Sequence, residues 1–251
     1  MRLFGKNSAI ERLRAQPQTV RKIYLEEGFA DAANVRQKAK KTQIPVLSVP
    51  FSKMRKMSQG KNTQGILLDV DEFKYTPYEE LLEAAVTKRT TLLFIDRLKD
   101  PQNLGAIIRS LACLGRFAVI LPTHESVSVT ETVLHIASGG DNYVPVALVG
   151  NLNNAIREAK DQGYWIGGAV VGQGEDLREV VLPPRVGLVI GSEEKGIRDV
   201  VQKNLDQLWT VPMAHDTLSL NAAHAVTVFC YEIERQKKIH KDKSGSVSGG
   251  D

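Results

Sequence analysis

The sequence predicts an α/β fold, because short apolar runs alternate with stretches of helical spacing along most of the chain. From residue 91 onward, six apolar runs indicate strands: TLLFID, FAVILP, VPVALV, YWIGGAVV, VGLVIG and LWTVPM. Helical stretches such as LGAIIRSLACLG and LNNAIREAKDQG lie between them. Continuous apolar strands between helices are typical of a sheet covered on both faces, so we expect a mostly parallel sheet with helices on both sides.

A smaller α/β unit precedes this sheet. VRKIYLEE, IPVLSVP and QGILLDV indicate strands, and NSAIERLRAQ and DAANVRQKAKKTQ indicate helices, with Ser8 as the N-cap of the first and Glu11 at capping-box spacing. Apolar periodicity is lost near the C-terminus. We predict four segments: a small α/β domain at 1–72, a linker carrying a short helix at 73–88, a second domain at 89–240 and a disordered tail at 241–251.

Composition excludes several protein classes. The chain has 251 residues, of which 42% are hydrophobic and 25% charged, as in ordinary globular proteins. Its apolar runs are far shorter than the roughly 18 residues of a membrane helix, and the N-terminus lacks the apolar core of a signal peptide. Cys113 and Cys230 show no C-x-x-C spacing, which favours two buried thiols over a disulfide or zinc site. We expect a cytoplasmic protein without a membrane partner.

Charge is distributed unevenly along the chain. Residues 1–72 contain 14 Lys and Arg against 7 Asp and Glu, so this region carries +7 and the remainder −3 of the net +4. A basic module of this kind is either a solvated face or a binding surface for a polyanion. Charge alone does not choose between these two interpretations.

Three loops after predicted strands are candidate binding sites, because ligands bind at the carboxyl ends of strands in open α/β sheets. The first is DRLKDPQNLGAIIRS, where Pro101, Asn103 and Gly105 predict a tight polar turn before a helix that carries Arg109. A helix N-terminus and an arginine can together bind phosphate. On this segment alone, a surface arginine on a helix is the simpler explanation.

The second loop is VGLVIGSEEKGI, where Gly191 and Gly196 allow the backbone to approach a ligand closely. The pattern matches neither the dinucleotide fingerprint nor the Walker loop, which disfavours ordinary dinucleotide and nucleoside triphosphate sites. Two carboxylates, Glu193 and Glu194, follow the first glycine. Carboxylates at the start of a helix are also favourable in themselves, so either one has a structural explanation.

The third loop is VPMAHDTLSLNAAHAV, which leads into the last predicted helix. Ser219 is a candidate N-cap, but that leaves Asn221 inside a helix of apolar residues, where asparagine is unfavourable. His215 and His224 lack a pattern of Cys, Asp or Glu ligands beside them, so we predict no metal site.

The three loops, in this order, resemble the three signature motifs of the SpoU (TrmH-like) family of RNA ribose 2'-O-methyltransferases. DPQNLGAIIRS resembles the first motif, LVIGSEEKGI the second and VPMAHDTLSLNAA the third. FGKNSAIERLRAQ through TQGILLDV resembles the small RNA substrate-binding domain of the rRNA-modifying members. The resemblance implies a trefoil knot in the C-terminal part of the sheet, a homodimer, an RNA partner and S-adenosylmethionine as cofactor.

The resemblance also implies roles for residues at the motif positions. Arg109 corresponds to the catalytic arginine, and because a guanidinium is a poor base, we expect it to bind the target phosphate and stabilise the developing 2'-oxyanion. Glu193 is expected to orient Arg109. The remaining expected residues complete the polar network (Asn103, Ser219 and Asn221) or hold the cofactor through the backbone (Gly191, Val211 and Leu220).

The third motif departs from the family pattern at His215, where glycine is usual, and at Ala222 and Ala223, where Val-Ser is usual. These departures bear on target choice and cofactor affinity. The N-terminal domain favours large-subunit (23S) rRNA over tRNA as the substrate, because structured RNA is recognised by shape, phosphates and unstacked nucleotides. The alternatives are a tRNA enzyme and a non-catalytic RNA-binding assembly factor on the same fold. A nicotinamide-dependent oxidoreductase is a weaker alternative, because the sequence lacks the glycine fingerprint of that class.

Overall fold

The computed structural model describes residues 1–215 and 218–245, which fold around two sheets. The N-terminal sheet has four strands in the order β1-β4-β2-β3, with β2 and β3 parallel and the other pairs antiparallel. Its strands are β1 (Arg2–Phe4), β2 (Val20–Glu26), β3 (Val46–Val49) and β4 (Ile66–Val70). Its helices are α1 (Lys6–Ala15), α2 (Ala32–Lys41) and α3 (Phe51–Met57).

Two elements of this domain were not predicted, and one predicted cap is wrong. The short strand β1 and helix α3 carry too few residues for a clear apolar period. Helix α1 begins at Lys6, so Ser8 lies inside the helix rather than before it. The buried Ser8 hydroxyl donates to the carbonyl of His135 at 3.4 Å. A contact with the second domain therefore takes the place of the predicted cap.

The second sheet has seven strands in the order β7-β6-β5-β10-β8-β11-β9, and every neighbouring pair is parallel. Its strands are β5 (Thr91–Ile95), β6 (Phe117–Pro122), β7 (Val146–Val149), β8 (Trp165–Ala169), β9 (Glu175–Asp176), β10 (Val186–Ile190) and β11 (Gln207–Thr210). Its helices are α4 (Tyr78–Lys88), α5 (Pro101–Leu114), α6 (Glu131–Ala137), α7 (Leu152–Asp161), α8 (Asp199–Gln202) and α9 (Ala222–Gly245). Helix α6 and the two-residue strand β9 were not predicted. The predicted α/β class, with a small N-terminal α/β domain before a parallel sheet, is confirmed.

The connections cross in the C-terminal half of this sheet. Strand β10 lies between β5 and β8, and the chain continues past β8 to β11 near the edge before α9 returns to α5. The hydroxyl of Thr227 on α9 donates to that of Ser110 on α5 at 2.9 Å. This is the part of the sheet in which the family resemblance predicts the knot.

The helix predicted in the linker is present, whereas part of the predicted tail is helical rather than disordered. Helix α4 packs against the seven-stranded sheet, where the buried Tyr78 hydroxyl donates to the carbonyl of Ala155 at 2.5 Å. Residues 241–245, predicted as disordered, form the end of α9. These residues continue the helix from Lys237, Lys238 and Lys241, which are good helix formers, without an intervening proline. Residues 246–251 of the predicted tail lie outside the described residues.

The two domains are joined by buried polar contacts. The side chains of Arg12 and Asp141 form an ion pair in which they are only 8% and 1% exposed. The ring of Phe4 stacks on that of His135 with centroids 4.5 Å apart, and the His135 ring Nδ1 lies 3.0 Å from the Phe4 carbonyl. The N-terminal domain is therefore fixed against α6 and the turn at 140–142. None of the helices in the described ranges is long and apolar enough to span a membrane.

Candidate active site

A hydrogen-bonded chain of side chains joins the three loops singled out in the sequence. The Asn103 amide nitrogen on α5 donates to the Glu193 carboxylate in the second loop. The Asn103 amide oxygen accepts a hydrogen bond from the Asn221 amide at 2.9 Å. Asn103 is buried, whereas Glu193 and Asn221 are exposed to solvent. Glu193 and Asn221 lie 90 and 118 positions after Asn103 in the chain, and both contact its amide group.

Helix α5 places Asn103, but its N-terminus differs from the prediction. The predicted polar turn is the first helical turn, with Pro101 at its first position. The Asp100 carboxylate caps the helix and accepts from the Gln102 backbone N–H at 2.8 Å. Because a carboxylate already occupies this end, the predicted phosphate site at the helix N-terminus is not supported. A side chain at Gly105 would lie 2.7 Å from Cβ of Ile136, so this glycine serves helix packing.

The second loop is a tight turn closed by backbone hydrogen bonds between Ser192 and Gly196, at 2.8 and 3.2 Å. Gly196 has a φ of +64°, which glycine adopts without strain. A Cβ on Gly191 would lie 1.9 Å from the Gly196 carbonyl carbon. Glycine at 191 is therefore required by closure of the loop itself, a reason that the sequence did not reveal. The turn presents Glu193 and Glu194 at its exposed tip.

An ion pair between Arg198 and a buried aspartate, which was not predicted from the sequence, holds this loop to the sheet. Asp96 at the end of β5 is 0% exposed and accepts from the backbone N–H of Arg198 at 2.9 Å. The Arg198 guanidinium donates from Nε to the same carboxylate at 2.8 Å. The backbone N–H of Asp96 donates to the Ile190 carbonyl at 2.8 Å. The position of Asp96 directly after the apolar run LLFI is the feature of the sequence that could have indicated a buried, paired carboxylate.

Asn221, rather than Ser219, caps the last helix. The Asn221 amide oxygen accepts from the backbone N–H of Ala223 at 2.9 Å, and its carbonyl accepts from that of Ala225 at 2.9 Å. The predicted cap at Ser219 is wrong because α9 begins only at Ala222. Asn221 is consequently outside the helix, where asparagine is favourable. One side chain both starts α9 and contacts Asn103.

Arg109 lies apart from this network. It is exposed on α5, six residues beyond Asn103, which corresponds to about 9 Å along the helix axis. Within residues 1–215 and 218–245 its side chain has no hydrogen bond or ion pair. The expected contact with Glu193 is not formed: Glu193 accepts from Asn103, and Arg109 lies more than a helical turn further along α5. A Cβ on Gly140 would lie 3.1 Å from the Arg109 Cα, so the turn that holds the N-terminal domain packs directly on this residue.

A cavity of about 270 Å³ lies beside the network. Its lining comes from three chain segments, 169–171, 190–202 and 219–229, and combines apolar side chains with backbone atoms. Gly191, Ser219 and Leu220 are among the lining residues. Val211, the third expected cofactor residue, is half-buried in the core and does not line the cavity. An apolar slot edged by backbone polar groups and one carboxylate, that of Glu193, fits a nucleoside bearing a sulfonium.

The departures of the third motif have different structural settings. Ala222 and Ala223 are buried where α9 packs on the core, so their small side chains fit the crowded start of that helix. His215 is exposed, and its carbonyl accepts from the backbone N–H of Leu218 at 3.3 Å. In the part of the chain that is described, no three His, Cys, Asp or Glu side chains are grouped so as to hold a metal.

Comparison with known proteins places this geometry in a family. The SpoU rRNA Methylase family matches residues 90–231, and the domain described as RNA 2'-O ribose methyltransferase substrate binding matches residues 2–76. The 23S rRNA (guanosine-2'-O-)-methyltransferase RlmB of Nitrosomonas europaea is 32% identical over 247 residues, covering 97% of this chain and 94% of its own. An uncharacterized tRNA/rRNA methyltransferase of Synechocystis is 37% identical over 203 residues; the match spans 80% of this chain but about half, 53%, of that relative.

A solved structure shares the fold. The SpoU methyltransferase AviRb from Streptomyces viridochromogenes, in complex with AdoMet, aligns with a TM-score of 0.78 at 19% identity and covers 95% of this chain and 91% of its own. The two family matches and the RlmB relative confirm the predicted family and enzyme class, and S-adenosylmethionine, the predicted cofactor, is the methyl donor of this class. With both family matches in chain order and three motif loops meeting at Asn103, the chain belongs to the SpoU family of RNA methyltransferases.

Proposed function

We propose that this methyltransferase modifies the 2'-hydroxyl of one ribose in 23S (large-subunit) rRNA. The observation that carries the proposal is the side-chain network of Glu193, Asn103 and Asn221, which joins the three motif loops beside a cavity that Glu193 helps to line. A protein that only bound RNA would not require this network beside a slot of the right chemistry. The 23S rRNA methyltransferase RlmB, similar over almost the whole chain, supports rRNA as the target.

S-adenosylmethionine supplies a methyl group already activated by its sulfonium, so the protein has to align the ribose oxygen for in-line attack. The network is polar and reaches the cavity through Glu193, where it is suited to position a 2'-hydroxyl. Arg109 has no protein partner within the described residues, which leaves its guanidinium available to a phosphate of the RNA backbone. We assign it the grip on the target phosphate and the stabilisation of the developing oxyanion.

Proton removal is assigned to the RNA phosphate or to water rather than to a side chain. Arg109 is a donor only, and Asn103 and Asn221 are amides that do not act as bases. Glu193 is engaged by Asn103. The role of these residues is accordingly to orient the hydroxyl and to stabilise charge.

We further propose that the enzyme is a homodimer that forms through α9. Val228 and Tyr231, three positions apart on the same side of this helix, are exposed, Tyr231 by 61%. Apolar side chains in this arrangement favour burial against a second copy. We expect the full chain to elute as a dimer by size exclusion with light scattering, and Tyr231→Glu to shift it to the monomer; a monomeric wild type would refute this proposal.

The function is tested by transfer of labelled methyl from S-adenosylmethionine to unmodified 23S rRNA and, separately, to tRNA. Label in rRNA that is lost with Arg109→Ala is the expected result, and label in tRNA alone would assign the enzyme to that substrate. Arg109→Lys is expected to lose most turnover, because lysine cannot form a bidentate contact with phosphate. Near wild-type turnover of Arg109→Lys would refute the bidentate role. No label in either RNA would favour a non-catalytic RNA-binding factor.

A further inference from the structure

The stretch from residue 32 to residue 68 contains eight lysines and arginines and no aspartate or glutamate. It forms α2, β3 and α3 of the N-terminal domain and ends within β4. None of these eight cations forms an ion pair with any described residue. Five other cations of the domain do form ion pairs: Arg2, Lys6, Arg12, Arg14 and Arg21. The unpaired positive charge is thus concentrated in one part of the domain.

Leu47 of β3 and the helix α3 share one face of the sheet, whereas α2 packs on the opposite face. The Arg36 guanidinium on α2 donates to the Ser48 hydroxyl on β3 at 2.6 Å, which places the helix beside the strand. Strand β3 is at the edge of its sheet, and α3 starts at Phe51, two residues after β3 ends. We call the exposed surface formed by Leu47, Phe51, Lys53 and Lys56 on β3 and α3 the basic face. Glu27, just after β2, lies next to this surface and donates its backbone N–H to the Val49 carbonyl at 3.0 Å.

The basic face also exposes two large apolar side chains. Phe51 is 63% exposed and Leu47 is 42% exposed. Within residues 1–72, all of which are described, they are the only large hydrophobic side chains exposed to this degree. A nucleobase that has left its stack packs well on an exposed aromatic ring, while flanking cations bind the phosphates on either side.

We propose that the basic face binds the RNA substrate, with Phe51 stacked on an unpaired base and Lys53 and Lys56 on the neighbouring phosphates. This inference rests on the proposed function for the identity of the RNA. The buried Arg12–Asp141 pair holds the domain to the turn that packs on Arg109. RNA bound to the basic face is consequently held at a fixed position relative to the active site.

The experiment measures binding of in-vitro-transcribed 23S rRNA to the full chain by filter binding between about 50 and 200 mM salt, a range over which counterion release changes the affinity strongly. The double variant Lys53→Ala/Lys56→Ala is expected to reduce the slope of log affinity against log salt by about 1.5, because each phosphate contact releases counterions. The matched control is Lys88→Ala/Arg157→Ala, which removes two exposed, unpaired cations from the helices α4 and α7 of the other domain.

Phe51 is tested separately because stacking does not depend on counterions. Phe51→Ala is expected to weaken RNA binding by roughly tenfold to a hundredfold at every salt concentration, with the salt slope unchanged. Phe51→Tyr keeps the ring and is expected to bind like the wild type. All these side chains are exposed, so the variants should retain the fold, and binding of labelled S-adenosylmethionine by equilibrium dialysis checks this.

The outcomes separate this inference from the proposed function. If the wild type methylates rRNA while the Phe51 and lysine variants bind RNA as tightly as the control, the basic face is refuted and the activity stands. If these variants lose RNA binding but the wild type methylates no RNA, the face stands and the proposed function is refuted. A wild type that binds polyglutamate through the same residues and does not bind RNA would overturn the inference in favour of an acidic protein partner.

Discussion

Substitution of Asn103 tests whether the amide that joins the three loops is required for activity. Asn103→Ala removes a hydrogen bond to a carboxylate, worth about 1.5–3 kcal/mol, and one between amides, worth about 1 kcal/mol. Glu193 and Asn221 are exposed and regain water, so the net loss of alignment is about 1.5–3 kcal/mol. We expect kcat/KM for methyl transfer to fall between about tenfold and about a hundredfold.

Asn103→Asp makes the test more specific, because it replaces the donor to Glu193 with a second carboxylate. The two carboxylates repel each other unless one of them binds a proton, and that proton restores a donor between them. The activity of Asn103→Asp relative to the wild type should therefore rise as the pH is lowered from 8 to about 5. Methyl transfer to rRNA, measured for both enzymes across this range, checks the ratio.

Folding controls decide how the Asn103 results are interpreted. Alanine is a better helix former than asparagine, so α5 should persist in Asn103→Ala, and thermal unfolding followed by circular dichroism verifies this. A stable Asn103→Ala enzyme with wild-type kcat/KM would refute the role of the network. A relative activity of Asn103→Asp that does not change with pH would show that the carboxylates do not meet in solution.

Three further predictions concern the cap, the loop and a buried lysine. Asn221→Ala should lose about 1 kcal/mol of stability in urea unfolding, whereas Asn221→Asp should keep it because an aspartate still caps α9. Both variants lose the donor to Asn103 and hence activity. Equal stabilities of the two variants would refute the cap. Gly191→Ala should abolish binding of S-adenosylmethionine in equilibrium dialysis, since its Cβ would lie 1.9 Å from the Gly196 carbonyl carbon; wild-type binding would contradict the closed loop. Burial lowers the pKa of Lys237 from 10.5 to about 8, so the unfolded chain binds more protons between these values and the free energy of unfolding should rise with pH across that window. Lys237→Met should remove that rise, and an unchanged pH dependence of urea unfolding would contradict it.

The sequence by itself determined the order of the main elements and the position of the three motif loops. Continuous apolar runs such as VGLVIG are sufficient for this, because local periodicity decides whether a segment is a buried strand. The residues that meet at the active site were also predicted in part, since Asn103, Glu193 and Asn221 were all named from the motif pattern. The short elements β1, α3, α6 and β9 were missed, because two to seven residues seldom carry a clear period.

Only the tertiary structure decided how these residues are used. Glu193 contacts Asn103 instead of Arg109, and Asn221 caps α9 in place of Ser219, because the partners lie far apart in the chain and packing chooses between them. Gly191 is required by a backbone five residues away that folds back on it. The Asp96–Arg198 pair joins residues 102 positions apart, a separation over which local sequence patterns carry no information.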